Sequence, residues 1–414
     1  MEKLSIEDIE LKDKKVLMRV DFNVPLNKEG KISDDTRIRA SLPSIKYILD
    51  KGASLILISH LGRPKGKVVE ELRMNPVAHR LEEILQKRVL KLNDCVGEKV
   101  RETIEKMEKG DIVLLENTRF HKEEEENDPH FAKELADLGD IFVNDAFGTA
   151  HRSHASTVGV AKFLPSAMGF LMKKEIKVLG KILTSPDVPF IAILGGAKVS
   201  DKIGLLCNLL DKCESILIGG AMSYTFLKAK GIDVGKSLWE KNKIDEAKRI
   251  LEDAHRNKRC KIFLPLDHIV AKKAEEEIDT KSVKQNGISS DYMALDIGPE
   301  TIKLFKRIIN EAKTIFWNGP MGVFEIKEFA KGTEAIAKEL ANSKASVVVG
   351  GGDSIAVLKR LDLEDKITFI STGGGASLKF LEGRVLPGVE AINVKRERQK
   401  TGLKNRIKGL KKQD

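Results

Sequence analysis

The sequence predicts an α/β protein of about two domains built on parallel sheets. Its 414 residues exceed the length over which one hydrophobic core stays efficient. Short apolar runs alternate with helical stretches in the first part, the pattern of a parallel sheet with crossover helices. The later part repeats one unit five times: an apolar strand, a glycine cluster, then a helical segment.

The first strand lies in the run Lys15 to Pro25, where Arg19, Asp21 and Asn23 alternate with Val20, Phe22 and Val24. A strand points successive side chains to opposite faces, so this pattern sets a cation, a carboxylate and an amide on one face and apolar groups on the other. Pro25 cannot donate to a sheet ladder and marks the strand's end, where α/β proteins bind ligands. An edge strand with a wet face is the alternative. Ser54 to Ser59, Asp111 to Leu115 and Asp140 to Asn144 are the next strands, separated by helical stretches such as Val77 to Leu85. Each strand runs at once into polar residues, and Arg37, Arg63, Arg119 and Arg152, with His60, fall near these predicted strand ends. Guanidinium groups that converge would hold a small, multiply charged anion; scattered surface arginines are the other reading.

Met172, Ile176, Leu179 and Leu183 recur at helical spacing before Pro186 and Pro189, which reads as a connecting helix and then a boundary. The later strands are Phe190 to Leu194, Ser215 to Ile218, Thr314 to Trp317, Ser346 to Val349 and Ile367 to Ile370. Their turns contain Gly195-Gly196, Gly219-Gly220, Asn318-Gly319, Gly350-Gly351-Gly352 and Gly373-Gly374-Gly375. Glycine lets backbone N–H groups approach a ligand, and a following helix N-terminus favours negative charge, so five such turns at one end of one sheet favour a phosphate-rich ligand. Lys198 and Lys202, four apart at the start of a predicted helix, share a face there and suit an anion between them, or are solvated. Asp353 either caps a helix or binds a metal that bridges phosphates.

Familiar nucleotide motifs are missing. Gly231 to Ser237 resembles a Walker A loop but is one residue short and follows a helical segment, so it is assigned no phosphate role. The glycine clusters contain no G-x-G-x-x-G, and the chain has no kinase D-F-G and no G-x-S-x-G elbow. His151 and His154 alone are a weak zinc signal. Cys95, Cys207, Cys213 and Cys260 show no metal-like spacing and read as reduced, mostly buried thiols.

A composition 41% hydrophobic and 32% charged is that of a soluble globular protein. The apolar runs fall short of the roughly 18 residues of a membrane span, and the acidic N-terminus lacks a signal-peptide pattern, so a cytoplasmic location is expected. From Lys395 to Asp414 nine cations and two carboxylates give +7 of the net +10. Leu403, Ile407 and Leu410 form a helical stripe among those cations. A solvated terminus and a nucleic-acid or membrane-surface helix are the two readings.

From about Leu4 to Asn393 the chain resembles the phosphoglycerate kinase family. The stretches Arg19 to Pro25, Ser59 to Pro64, Gly195 to Lys202, Trp317 to Pro320 and Gly350 to Asp353 match that family's motifs in order. The resemblance implies two Rossmann-like lobes joined by a connecting helix and hinge: a phosphoglycerate-binding domain over 1–168, the helix and hinge over 169–188 and a nucleotide-binding domain over 189–382. It further implies a segment 383–395 returning to the first domain, ahead of the basic tail 396–414. The implied reaction is reversible, Mg²⁺-dependent phosphoryl transfer from 1,3-bisphosphoglycerate to ADP, giving 3-phosphoglycerate and ATP, in glycolysis and gluconeogenesis. Lobe closure would exclude water, and no covalent enzyme intermediate is expected.

By the same resemblance, Asp21 and Asn23 hold the glycerate end, His60, Arg63, Arg119 and Arg152 bind the spectator phosphate, and Arg37 stabilises the group in flight. Lys198 neutralises the transferring phosphoryl, Lys202 the inner phosphates, and Asp353 holds Mg²⁺ through the nucleotide. Glu325 accepts from the ribose, Gly220, Leu295, Pro320 and Val323 line the purine slot, and Asn318, Gly350, Gly351, Gly352 and Ser354 lie near the phosphates. A monomer that binds neither nucleic acid nor membrane is expected. Lys379 and Tyr292 depart from the family pattern, where Glu and Trp are usual, and the tail is longer than the usual ending. A nucleic-acid or surface-binding protein acting through the tail, and an ATP-dependent enzyme that activates another carboxylate, are the competing functions.

Overall fold

The computed structural model describes residues 2–395 except 258, and the basic tail with its Leu403, Ile407 and Leu410 stripe lies outside them. Its contacts divide the chain into two compact units. The first comprises Met1–Asp145, Ser153–Leu171 and the chain from Gly388 on; the second comprises Ala146–Arg152 and Met172–Pro387. These packing units cut the chain differently from the sequence boundaries, most visibly in assigning the short segment Ala146–Arg152 to the second unit.

In the first unit six parallel strands, β1 (Lys15–Arg19), β2 (Ser54–Ile58), β3 (Leu90–Lys91), β4 (Ile112–Leu114), β5 (Ile141–Asn144) and β6 (Ser166–Met168), lie in the order β3-β4-β2-β1-β5-β6. Strand β1 is central, not an edge. It ends at Arg19, six residues before Pro25, so Asp21 and Asn23 stand on the extended segment beyond it. All five residues of β2 are buried, which is why its sequence is a continuous apolar run rather than an alternation. Residues 388–395 pack within this unit: Leu4 N–H donates to the Asn393 carbonyl at 2.8 Å, and Ser166 N–H to Asn393 Oδ1 at 2.7 Å.

The second unit has strands β7 (Phe190–Leu194), β8 (Ser215–Ile218), β9 (Lys261–Phe263), β13 (Thr314–Asn318), β14 (Ser346–Gly350) and β15 (Phe369–Ile370) in one parallel sheet. The order is β15-β14-β13-β7-β8-β9, so all five strands read from the sequence share this sheet. Between β9 and β13 the chain adds β10 (Asp267–Ala271), β11 (Lys281–Lys284) and β12 (Met293–Ile297) as an antiparallel sheet, β11-β10-β12, unforeseen in the sequence. Successive strands run outward from β7 in one direction and from β13 in the other. The chain thus changes direction between these two neighbours, the kind of crevice where open α/β sheets bind ligands. Ile193, Leu217, Ile315, Trp317 and Val349, each at most 2% exposed, pack below it. Each such side chain contributes roughly 1.5–3 kcal/mol on burial.

The connecting helix runs Phe170–Thr184. Its buried line is Met172, Glu175, Leu179 and Ile182, so a carboxylate occupies a core position that hydropathy alone assigns to its neighbour Ile176. Glu175 is satisfied by the turn after β15: Ser371 Oγ and Thr372 N–H donate to it, each at 2.7 Å. Burial pushes its carboxyl up to about 7 against those bonds. A native pKa raised above the unfolded value means that this group's stabilising contribution is complete below about 4.5 and is lost as pH rises through about 7. Urea unfolding of Glu175→Gln and of the parent chain should therefore shift in the variant's favour between pH 4.5 and 7 and level off above. A difference that stays flat with pH would contradict the burial argument.

Candidate functional site

In the first unit, polar groups gather where β1, β2 and β4 end. Arg37, from the helix Thr36–Asp50, donates through Nη1 to Asp21 Oδ2 at 2.7 Å. Asn23 Oδ1 accepts from Gly62 N–H at 2.9 Å, and the Gly62 carbonyl accepts from Arg119 Nη1 at 2.8 Å. Arg119 is buried and its Nε lies 3.1 Å from Glu125. Asp21, Asn23, Arg37 and Arg119 thus form one linked cluster, with Arg63 exposed one residue beyond Gly62.

His60, buried after β2, is held by Arg19. Arg19 is 1% exposed, which rules out the alternative of an edge strand with a wet face. Its Nη2 lies 3.1 Å from His60 Nδ1, its Nε donates to Ser156 Oγ at 2.8 Å, and Ser156 Oγ donates to the buried Glu124 at 2.6 Å. A guanidinium can only donate, so His60 Nδ1 accepts and a neutral ring carries its proton on Nε2. Arg152 belongs to the segment packed with the second unit, its Nε 3.3 Å from His151 Nε2.

In the second unit the glycine turns interlock. Gly196 N–H donates to the Pro320 carbonyl and Gly220 N–H to the Met321 carbonyl, both at 2.9 Å, while Met222 N–H donates to the Gly196 carbonyl at 3.0 Å. A Cβ on Gly220 would stand 2.6 Å from Gly196 N, and φ there is +64°. Only glycine fits that approach.

Above these turns opens a cleft of about 700 Å³. Gly220, Leu295, Pro320, Val323, Glu325 and Asp353 all line it. Leu295 and Val323 are tied by a 2.9 Å backbone bond. Around the turn after β13, Asn318 Nδ2 donates to the Gly350 carbonyl at 2.8 Å and Gly319 N–H to Ser354 Oγ at 2.7 Å. Lys202 Nζ hydrogen-bonds Asn318 Oδ1. Burial lowers Lys202 to about 8, with the charges of Asp201 and Asp353 acting the other way.

Two sequence expectations need correction here. The helix after β7 begins at Ile203 with Lys202 at its N-cap, so Lys198 and Lys202 share no helix face; Lys198 is exposed on the preceding loop and Lys202 is buried. Asp353 is not a cap: Gly351 occupies the N-cap of the helix Gly352–Arg360, without a side-chain capping bond, and Asp353 is exposed toward the cleft. Sequence reading missed Tyr224, Lys236, Leu238, Trp239 and Met293, which also line the cleft. The near-Walker loop set aside above is therefore a cleft wall. Its Ser237 Oγ accepts from Ala294 N–H at 2.9 Å, and no local signal marks that pairing. Of the two departures, Lys379 pairs with Glu382 at 3.3 Å, and the Tyr292 ring lies under Lys281.

A cleft at the strand ends of an open parallel sheet, floored by glycine turns, is the place where α/β proteins of the phosphate-binding class take their ligands. Residues 6–384 match the family model for phosphoglycerate kinase. The phosphoglycerate kinases of Dictyoglomus turgidum and Pelotomaculum thermopropionicum are 56% and 54% identical over 393 and 392 residues, covering 95% of this chain and 98% and 99% of those proteins. The phosphoglycerate kinase structure from Coxiella burnetii superposes with a TM-score of 0.86 at 41% identity, and that from Pyrococcus horikoshii OT3 with 0.81 at 36%, each covering 94% of this chain and 98% of the other. The chain belongs to the phosphoglycerate kinase family. The reaction is the family's reversible phosphoryl transfer between 1,3-bisphosphoglycerate and ADP, a step of glycolysis.

Gly220→Ala should force the three interlocked turns apart. It should lower the melting temperature by several degrees and weaken ADP binding at least tenfold by calorimetry. An alanine variant that melts and binds like the parent would refute the steric argument.

Proposed function

We propose that the cleft of the second unit binds MgADP and MgATP and that the arginine cluster of the first binds 3-phosphoglycerate and 1,3-bisphosphoglycerate. The observation that carries this reading is the cleft's polarity. Apolar Leu295 and Val323 line it together with the exposed carboxylate Asp353, and Lys202 is close enough to Asp353 to feel its charge. That is the layout an uncharged base followed by charged phosphates requires.

Phosphoryl transfer asks for alignment and charge stabilisation more than for covalent help from the protein. Leu295, Pro320, Val323 and Gly220 hold the purine, and Glu325 accepts from the ribose hydroxyls. Asn318, Ser354 and the Gly350–Gly352 turn set the phosphates. Lys202 carries charge for the inner phosphates and Lys198 for the group in transfer. Asp353 suits Mg²⁺, which takes one or two carboxylates plus phosphate oxygens, and the ion supplies charge neutralisation across the phosphates. In the first unit Asp21 and Asn23 orient the glycerate, His60, Arg63 and Arg119 grip the distal phosphate with Arg152 as a further donor, and Arg37 neutralises charge from the acceptor side. The same sites serve the reverse direction, in gluconeogenesis. A monomer in the cytoplasm, with no nucleic-acid or membrane partner, completes the proposal; no described helix is long and apolar enough to cross a membrane.

The assay is Mg²⁺-dependent conversion of ATP and 3-phosphoglycerate to ADP, drawn forward by a dehydrogenase that consumes the acyl phosphate. Turnover with 3-phosphoglycerate and none with plain glycerate supports the reading. Efficient turnover of glycerate would contradict the role of the arginines. Arg37→Ala or Lys198→Ala should lower kcat at least a hundredfold while ADP affinity changes by less than about threefold. Equal losses in both would reverse their roles. Because burial lowers Lys202 to about 8, a bound polyphosphate should pull it back up, so ADP binding at pH 8.5 should take up protons. Calorimetry in buffers of different ionisation enthalpy measures that uptake. It should vanish in Lys202→Met, and uptake unchanged in that variant would assign it to another group.

A further inference from the structure

The loop from Gly231 to Glu240, to which the sequence gives no phosphate role, ends in a carboxylate aimed at the lysine loop. Ser200 donates to Glu240 twice, through N–H to Oε2 at 2.9 Å and through Oγ to Oε1 at 2.6 Å. Ser200 lies two residues from Lys198 and two from Lys202, on the connection between β7 and the helix Ile203–Leu210, where Lys198, Ser200 and Asp201 are exposed. Although burial alone would raise it, the bonds from Ser200 and Val199 and the charge of Lys198 hold the Glu240 carboxyl below its ordinary value. The clamp is itself anchored. Glu240 N–H donates to the buried Thr225 Oγ1 at 3.1 Å, and Lys236 N–H to the Tyr292 carbonyl at 2.8 Å.

We infer that Glu240 is a positioning residue for phosphoryl transfer: through its two bonds to Ser200 it fixes the loop that carries Lys198. This rests on the role proposed above for Lys198. An exposed loop with a flexible lysine would otherwise lose conformational freedom each time it met the transferring group. A clamp made in the resting protein removes that loss from the catalytic step. Its effect therefore falls on kcat and not on nucleotide affinity.

The test uses the full chain with Glu240→Ala, Glu240→Gln and Ser200→Ala. Glu240→Ala should lower kcat roughly tenfold or more, as expected for loss of a charge-assisted hydrogen-bonded pair, with ADP affinity within about threefold of the parent. Glu240→Gln, which can still accept from Ser200 N–H, should recover part of the loss, and Ser200→Ala should fall between. In a Lys198→Ala background the effect of Glu240→Ala should disappear. Amide hydrogen exchange over residues 196–202 reads the clamp without reference to catalysis and should accelerate in Glu240→Ala. Unchanged exchange refutes the clamp. Faster exchange with kcat intact refutes its part in transfer, while an intact kcat in Lys198→Ala alone refutes the lysine's role instead. If Glu240→Ala does not fold, Ser200→Ala and Glu240→Gln carry the same comparison.

Discussion

The close approach of three strand-end turns in the second unit is the constraint from which its site follows. Gly195-Gly196, Gly219-Gly220 and the turn after β13 bond to one another through backbone groups alone, at separations that leave no room for a side chain on Gly220. Those turns sit where the strand order reverses, between β7 and β13 and at β8 beside them. Backbone packed this tightly brings no side chain from Gly220 into the space above it. The apolar wall from Leu295 and Val323 and the carboxylate of Asp353 are then hung on this floor.

The first unit meets a different constraint, the cost of burying cations. Arg19 and Arg119 are nearly inaccessible, and a buried charge without partners is prohibitive. Both are met by acceptors: Arg19 by Ser156, and through it Glu124, and by the Nδ1 of the neutral His60 ring, Arg119 by the Gly62 carbonyl and Glu125. These bonds fix side-chain directions in advance of any ligand. Arg37 is likewise held, by Asp21, while Arg63 is exposed.

How much of this was legible in the sequence follows from the range of the interactions. Strands such as Phe190–Leu194 and Ser215–Ile218 were read to the residue because, in a doubly covered parallel sheet, the run of buried residues is itself the signal. The edge strand Lys281–Lys284 was invisible because three of its four residues are exposed and its composition is that of a loop. Alternation put Arg19, Asp21 and Asn23 among polar partners but did not give the end of the strand, since β1 stops at Arg19 and the chain then leaves the ladder. Glu175 broke the hydropathy stripe because its partners, Ser371 and Thr372, lie almost two hundred residues away. The family motifs supplied the residues of both clusters. They did not supply the wall of the cleft from Lys236 to Trp239, whose position depends on bonds to Tyr292 and Ala294.

The central claim, that the glycine-floored cleft with Asp353 receives the magnesium–nucleotide complex, is tested most directly by NMR of glycine-¹⁵N-labelled protein titrated with MgADP. The amide signals of Gly196, Gly220, Gly351 and Gly352 should shift with ADP and Mg²⁺ together, while those of Gly97 and Gly110, on unrelated turns of the first unit, hold still. Saturable binding that leaves the floor glycines unmoved would contradict it.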